Sequence, residues 1–189
     1  MLKKEGHMNR IIFLDVDGIL TYAGYKDKET TGIDIEKVEL LREICVSTGA
    51  KVVISSSWRG TKKCVPECYF TLLHILAENY IEVLGDTPHI YAEFEGDIPE
   101  LISLTTEEDL PNLKMKHGTG RATEVEAWLN THDVESFVIL DDTDYDWADY
   151  GFDRSWVQPS WFEGGLQSSH VKKSIEILGR EKDKDVSYI

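Results

Sequence analysis

An apolar run that ends in two closely spaced aspartates constrains the fold of this sequence more than any other feature. The run, Ile11 to Val16, carries the β-branched, aliphatic and aromatic side chains typical of a strand buried on both faces. Asp15 interrupts the end of the run, Asp17 follows two residues later, and Gly18 comes next. Residues two apart in an extended chain project to the same side, so we expect the two carboxylates to lie near each other.

Two like charges at the end of a buried strand are unfavourable unless something compensates them. A buried carboxylate must be paired, hydrogen-bonded or bound to a metal, and two neighbouring carboxylates need a cation or a retained proton. Asp17-Gly18 is also a common turn sequence, so a plain hairpin turn is the alternative interpretation. The remaining strands of the chain distinguish these interpretations.

Strand-like and helical segments alternate along the sequence. Four further strands are predicted, at 51–55, 81–84, 137–140 and, more briefly, 155–158. Helical spacing of apolar residues predicts helices after Asp34 as far as Thr48-Gly49, from Pro66 to about Asn79, from Arg121 to about Asn130, and from a cap at Ser168 or Ser169 to Gly179.

This alternation predicts an α/β protein with a Rossmann-like, three-layer α/β/α fold and a central parallel sheet of about five strands. Right-handed crossovers bring the C-terminal ends of parallel strands to one edge of a sheet, where ligand sites form. Asp15, Ser55 and Asp141 each stand at the end of a different predicted strand. The sequence therefore predicts one polar site at that edge.

We expect a single domain over residues 8–180. The segment 89–120 is acidic, contains Pro99 and Pro111, and shows no sustained periodicity, so it is interpreted as an insertion at the edge of the sheet. The terminal segments 1–7 and 181–189 are expected to be flexible tails.

Charge limits the partners that this protein can have. The chain carries 35 acidic residues against 20 Lys and Arg, a formal net charge of −15. This balance argues against strong nonspecific binding to nucleic acid or to anionic membranes, because phosphate affinity comes largely from Lys and Arg. A phosphorylated substrate stays compatible with it if a divalent metal and a few local cations neutralise the phosphate.

Cysteine content and hydropathy favour a cytoplasmic protein. Three cysteines are too few for a disulfide framework. Cys64, Cys68 and His74 resemble part of a zinc site but have no evident fourth ligand, so ordinary reduced thiols are the simpler interpretation. No targeting segment is recognisable, and no apolar run approaches the roughly 20 residues of a membrane span.

The carboxylates at the predicted edge suit a hard cation. Asp15, Asp17, Asp141 and Asp142 offer only oxygen ligands, which Mg²⁺ prefers. For the second pair the alternative is a solvated acidic turn after a strand. An EF-hand is not supported, because the sequence from Asp15 to Gly18 lacks its third oxygen ligand and terminal Glu.

Phosphate-binding groups are predicted beside these carboxylates. Ser55, followed by the backbone N–H groups of Ser56 and Ser57, can hold a phosphate oxygen, although three serines can also form a helix cap. Arg121, at the start of a predicted helix, offers fork-shaped donors to a phosphoryl group. Its alternative is an exposed, solvated arginine.

Four segments resemble, in order, the four motifs of the haloacid dehalogenase (HAD) superfamily of phosphohydrolases: FLDVDG (13–18), VIS (53–55), Arg121 and ILDD (139–142). The segment ISSSWR (54–59), the helix that begins at Arg121, and Gly164-Gly165-Leu166 more closely resemble HAD domains of RNA-repair and related bacterial and phage proteins. The resemblance covers roughly residues 9–179. It implies a HAD-like fold.

The resemblance also implies a role for each matching residue. Asp15 would attack phosphorus and form an aspartyl phosphate, while Asp17 would act as general acid and then as general base. Ser55, Ser56 and Arg121 would hold the phosphoryl oxygens. Mg²⁺ would be bound by Asp15, Asp141, Asp142 and the backbone carbonyl of Asp17.

Two departures from the family pattern affect these expectations. Lys is commoner than Arg in the third motif, so Lys114 or Lys116 is an alternative to Arg121. Only segments 18–34 and 89–120 could form a cap, so a minimal cap and an open site are expected. An open site favours large substrates such as a nucleic-acid end or a phosphoprotein, whereas the net charge favours a small phosphorylated molecule.

Three functions follow from these observations. The first is a Mg²⁺-dependent phosphohydrolase acting on a phosphate monoester. The second is a polynucleotide 3′-phosphatase or nucleotidase of a nucleic-acid repair pathway. Trp58 or Trp147 could stack a base in such an enzyme, although a tryptophan is more often a core residue. The third is a HAD-like module that binds phosphate or a partner without catalysis.

Overall fold

A five-stranded parallel sheet forms the centre of the computed structural model, which describes residues 9–88 and 120–180. The strands are β1 (Asn9–Leu14), β2 (Lys51–Ile54), β3 (Val83–Asp86), β4 (Val134–Leu140) and β5 (Trp156–Val157). They lie in the order β3-β2-β1-β4-β5, and every neighbouring pair is parallel. The central strand is β1, and the strand order reverses beside it, as expected for a Rossmann-like sheet.

Five α-helices accompany the sheet in the described residues: α1 (Ile35–Thr48), α2 (Thr61–Cys64), α3 (Pro66–Glu78), α4 (Arg121–Leu129) and α5 (Ser168–Leu178). The predicted ends of α1 are confirmed. Asp34 Oδ1 accepts a hydrogen bond from the Glu36 N–H at 2.9 Å, and Gly49 ends the helix in the left-handed conformation, with a φ of 71°.

The side chains of β1 divide the core into two layers. Ile12 and Leu14 point to the face covered by α1, α3 and α5. Ile11 and Phe13 point to the opposite face, where α4 packs. The ring of Phe13 meets the ring of Trp128 edge to face, with 5.4 Å between the centroids. The predicted three-layer α/β/α architecture is confirmed.

Strand limits differ from the sequence prediction in several places, including the start of β4 at Val134 rather than at Phe137. The strand β1 ends at Leu14, so Asp15 comes directly after it rather than inside it, although the Asp15 N–H still donates to Leu140 O at 2.9 Å. The strand β3 begins at Val83, not at Ile81. Ile81 completes the end of α3 instead, because its N–H donates to Leu76 O at 3.0 Å.

The start of α5 also differs from the prediction. Ser168 and Ser169 already belong to the helix, and Gln167 is the residue that precedes it. The Gln167 N–H donates to His170 Nδ1 at 3.1 Å. A side chain from inside the helix therefore binds a backbone donor at its start, and the two serines are not the cap.

Three predicted segments lie outside the described residues: the expected tails 1–7 and 181–189, and all of the expected insertion except Gly120. Lys114 and Lys116 lie outside them as well. Among the helices of the described ranges, none is both long enough and apolar enough to cross a membrane.

Candidate active site

Asp15 lies at the C-terminal end of the central strand, where neighbouring elements fix it. Its backbone N–H bonds to β4, and only 6% of the residue is exposed. Asp15 Oδ1 accepts from the Val16 N–H at 2.8 Å and lies 3.0 Å from Arg121 Nη1. The carboxylate is therefore held at the point where β1 and β4 end side by side.

Asp141 and Asp142 follow the adjacent strand β4. Asp141 is 1% exposed, and its Oδ1 accepts from the Thr143 N–H at 3.0 Å. The backbone carbonyl of Asp142 accepts from Gln158 Nε2 at 2.9 Å. One oxygen from each of Asp15, Asp141 and Asp142 lies within 4.8 Å of the others. Residues far apart in the sequence thus form one acidic cluster, which could hold a cation.

Gly18 makes room for this cluster. Its φ is 77°, in the left-handed region that favours glycine. A Cβ atom at this position would overlap the carboxylate of Asp142. The glycine is therefore required both by its backbone conformation and by the close approach of Asp142.

Arg121, the first residue of α4, joins the acidic cluster to β2. Its Nη1 contacts Asp15, its Nε lies 3.7 Å from Asp141 Oδ2, and it donates to the backbone carbonyl of Ser55. The Tyr145 ring lies under the guanidinium, 5.0 Å from ring centroid to Cζ. The arginine is nearly buried, so the alternative of a solvated surface arginine is wrong.

Burial dominates the electrostatics of the cluster. It raises the pKa of Asp15, and the charge of Arg121 partly offsets this effect. Burial and then the charge of Asp15 raise the pKa of Asp141 well above its ordinary value, again against the influence of Arg121. One guanidinium does not neutralise three carboxylates, so the cluster favours a further positive charge.

Ser55 follows β2 and offers a buried hydroxyl without a partner. Its N–H donates to Leu14 O at 2.7 Å, which fixes the residue beside the end of β1. Among the described residues, Ser55 Oγ has no hydrogen-bond partner, and neither does Asp141 Oδ2. Buried polar atoms without partners are uncommon in native proteins and suggest a missing ligand.

Asp17 stands slightly apart from the cluster. Its Oδ1 accepts from Thr21 Oγ1 at 2.8 Å, and its Oδ2 accepts from Trp58 Nε1 at 3.0 Å. Its carboxylate is not among the three that form the acidic cluster. This arrangement is compatible with the expectation that Asp17 would contribute its backbone carbonyl, rather than its side chain, to a metal.

Comparison with known protein families identifies the chain. A family model described as the HAD domain in Swiss Army Knife RNA repair proteins matches residues 11–171. The chain belongs to this family. No curated protein and no solved structure matches it. The predicted resemblance is confirmed, and membership supports a phosphohydrolase of the HAD type.

The sheet of this HAD domain brings the four predicted motifs together. Asp15, Ser55 and Asp141 follow the ends of the neighbouring strands β1, β2 and β4. Arg121 contacts the carboxylates of Asp15 and Asp141. Ser56 is fully buried, and its hydroxyl accepts from the Trp58 N–H at 3.3 Å. The serine run therefore does include a cap, as the alternative interpretation held, but the cap uses Ser56.

The two tryptophans considered for base stacking have different surroundings. Trp147 is 0% exposed and packs in the core beside Trp156, so it cannot stack on a ligand. Trp58 is partly buried and directs its indole N–H to Asp17. Trp147 is therefore a core tryptophan, as the alternative interpretation held, and base stacking by Trp147 is wrong.

A buried ion pair behind the site was missed from the sequence. Arg59 Nη2 lies 2.6 Å from Glu124 Oε2, and both side chains are almost fully buried. Arg59 also donates to Thr87 O at 2.8 Å, after β3. Since Glu124 lies one helical turn after Arg121, this pair fixes the helix that carries Arg121. The only sequence signal was that each partner is a charged residue within a family motif: Arg59 in ISSSWR (54–59) and Glu124 in the helix that begins at Arg121.

Proposed function

We propose that this HAD domain is a Mg²⁺-dependent phosphohydrolase that removes a phosphate monoester through an aspartyl-phosphate intermediate. The observation that supports it most directly is the acidic cluster of Asp15, Asp141 and Asp142, with oxygens within 4.8 Å and the guanidinium of Arg121 beside them. A purely structural role accounts poorly for this cluster, because burying carboxylates without full compensation costs free energy.

The proposed metal ligands are Asp15, Asp141, Asp142 and the backbone carbonyl of Asp17. The donor set consists only of oxygen, which suits Mg²⁺, and Asp141 Oδ2 has no hydrogen-bond partner among the described residues. When bound, Mg²⁺ would offset the negative charges of carboxylates and phosphate, so that these can approach each other.

Asp15 is the proposed nucleophile. Its carboxylate attacks phosphorus, the bond to the leaving oxygen breaks, and an aspartyl phosphate forms. Arg121, the Ser55 hydroxyl and the backbone N–H of Ser56 are the proposed donors to the phosphoryl oxygens. Arg121 and Ser55 are supported by position, since Arg121 contacts both Asp15 and the Ser55 carbonyl.

Asp17 is the proposed general acid and base. In the first step it gives a proton to the leaving oxygen, and in the second it takes a proton from the water that attacks the aspartyl phosphate. Its support is its place two residues after Asp15, with a carboxylate that is held by neighbours and stands outside the acidic cluster.

Hydrolysis of an aryl phosphate tests the proposed function. We expect release of phosphate that requires Mg²⁺, stops on chelation, and falls by at least about a thousandfold in Asp15→Asn, because the nucleophile is lost. Asp153→Asn is the matched control, since Asp153 is an exposed aspartate outside the cluster. Activity that survives Asp15→Asn would refute the mechanism, and metal binding without hydrolysis of any ester in a panel would favour a non-catalytic module.

The second candidate is a phosphatase of nucleic-acid ends or nucleotides. The match to HAD domains of RNA repair proteins favours it, whereas the net charge of −15 opposes tight binding of a long polyanion. Rates of phosphate release from a 3′-phosphorylated oligoribonucleotide, from mononucleotides and from small sugar phosphates would distinguish these substrates. A preference for the oligonucleotide in kcat/KM supports the repair function.

A further inference from the structure

Both oxygens of the Asp17 carboxylate are held by residues from different loops. Thr21, in the loop after β1, donates to Oδ1 at 2.8 Å. Trp58, in the turn after β2, donates from its indole Nε1 to Oδ2 at 3.0 Å. A carboxylate held at both oxygens has a fixed orientation, which a freely rotating side chain beside Asp15 would not have.

The turn that carries Trp58 is itself firmly anchored. The Trp58 N–H donates to Ser56 Oγ at 3.3 Å, and the Trp58 carbonyl accepts from Thr61 Oγ1 at 2.7 Å. The next residue, Arg59, is buried and donates from Nε to Ser56 O at 2.6 Å. The indole therefore extends from a rigid support, as a residue that orients a catalytic group requires.

We propose that Trp58 is a positioning residue that orients Asp17 for proton transfer to and from the substrate. The inference rests on the proposed function and extends it to a residue outside the reacting groups. An indole N–H is a donor only. Trp58 can therefore fix the carboxyl group without accepting its proton.

The proton balance follows from this geometry. As the bond between phosphorus and the leaving oxygen breaks, Asp17 gives its proton to that oxygen. Water then attacks the phosphorus of the aspartyl phosphate, Asp17 takes the proton of that water, and phosphate leaves with Asp15 restored. Trp58 keeps its own N–H throughout both steps.

Two esters with different leaving groups separate positioning of the acid from a general structural role. Nitrophenolate leaves without a proton, whereas an alkoxide must be protonated, so the comparison uses p-nitrophenyl phosphate and glycerol phosphate with Mg²⁺. The measurement is kcat/KM, which reports the steps up to departure of the leaving group. We expect Trp58→Phe to lower kcat/KM about 10- to 100-fold for the alkyl ester and less than about threefold for the aryl ester.

Two further variants serve as checks. Thr21→Val removes the donor to Asp17 Oδ1 and is expected to lower kcat/KM more for the alkyl ester than for the aryl ester. The same result from two independent variants would not come from a folding defect in one of them. Tyr80→Phe, at an exposed aromatic residue after α3, is the control and is expected to leave both values unchanged. Equal losses on the two esters in Trp58→Phe would overturn the inference.

A double variant shows whether Trp58 acts through Asp17. In an Asp17→Asn background we expect Trp58→Phe to cause no further loss on the alkyl ester, because the group that it orients no longer transfers a proton. Independent, multiplicative losses in the double variant would contradict the proposal.

The contact can also be measured without activity. The ¹⁵N-indole resonance of Trp58, identified by its loss in Trp58→Phe, is expected to shift upfield in Asp17→Asn as its acceptor loses charge. An unchanged resonance overturns the inference even in an active enzyme. If the wild type hydrolyses neither these esters nor the 3′-phosphorylated oligoribonucleotide, the proposed phosphohydrolase function is refuted. An active wild type with an unshifted indole resonance refutes the role of Trp58 alone.

Discussion

Gly18 determines how close the chain after β1 can come to Asp142. Its positive φ is unfavourable for other residues, and an added Cβ would meet the Asp142 carboxylate. Many glycines tolerate alanine at a modest cost, but this one is adjacent to a proposed metal ligand. Substitution here therefore bears on metal binding as well as on stability.

We expect Gly18→Ala to weaken Mg²⁺ binding by at least about tenfold, because the new methyl group displaces Asp142 from the acidic cluster. Isothermal titration with Mg²⁺ measures the effect. Gly49→Ala is the matched control: Gly49 has a φ of 71° and nothing within 4 Å of an added Cβ. It should lose about 1 kcal/mol of stability with unchanged Mg²⁺ affinity, and equal affinities in the two variants would contradict the prediction.

Individual residues differed in how far sequence could define their roles. Asp15 and Asp141 could be predicted to meet because the ends of parallel strands share one edge, whatever the loops do. The contact of Trp58 with Asp17 could not, since it depends on the conformation of two loops 41 residues apart in sequence. Sequence also could not decide which of Trp58 and Trp147 belongs to the core, because burial depends on tertiary packing.

At the scale of elements, the ion pair of Arg59 and Glu124 connects the turn after β2 to α4. The pair is buried, with 4% and 6% of the two side chains exposed. It therefore differs from the pair of Arg10 and Glu135, whose side chains are each 34% exposed. If one partner of the buried pair of Arg59 and Glu124 is neutralised, the other charge stays buried without a counterion. In the exposed pair of Arg10 and Glu135, water can solvate the remaining charge.

We expect Glu124→Gln to lower the free energy of unfolding by about 3 kcal/mol, since the Arg59 charge loses its buried counterion. Urea denaturation measures the change. Glu135→Gln removes one charge from the exposed pair and should cost less than about 1 kcal/mol. Similar losses in both variants would show that burial of the first pair has no energetic effect.

The sequence predicted which strands and helices exist better than it predicted the residues at which they begin and end. Helix α1 was predicted well because its cap and its terminal glycine act locally, at Asp34 and Gly49. The start of β3 was misplaced because Ile81 is buried at the end of α3, and burial alone does not distinguish a strand residue from the residue that closes a helix. Pairing of Arg59 with Glu124 spans 65 positions, so no local pattern reveals it.

At the scale of the whole molecule, the acidic cluster opposes folding in the absence of a cation. The raised pKa of Asp141 means that the folded state binds a proton more tightly than the unfolded state does. The metal-free protein therefore loses stability as pH rises from the ordinary carboxyl value of 3.8 through the raised pKa. Below that window, where the group is protonated in both states, this loss disappears.

We expect Asp141→Asn to raise the melting temperature at neutral pH in the presence of a chelator by a few degrees, because a neutral amide replaces the disfavoured charge. Mg²⁺ should then stabilise the wild type and not the variant. Differential scanning calorimetry with and without Mg²⁺ measures both effects. Asp153→Asn, at an exposed position, should behave like the wild type, and a variant that melts lower than the wild type under chelation would contradict the prediction.

The first strand of the described fold begins, and its last helix ends, near the start of β4, on the side away from the acidic cluster. Asn9, where β1 begins, pairs with Val134 at the start of β4. Leu178, the last residue of α5, accepts a hydrogen bond through its carbonyl from Ser136 Oγ at 2.8 Å. A fusion that begins directly before residue 9 or after residue 180 would therefore start at the edge of the sheet opposite the acidic cluster.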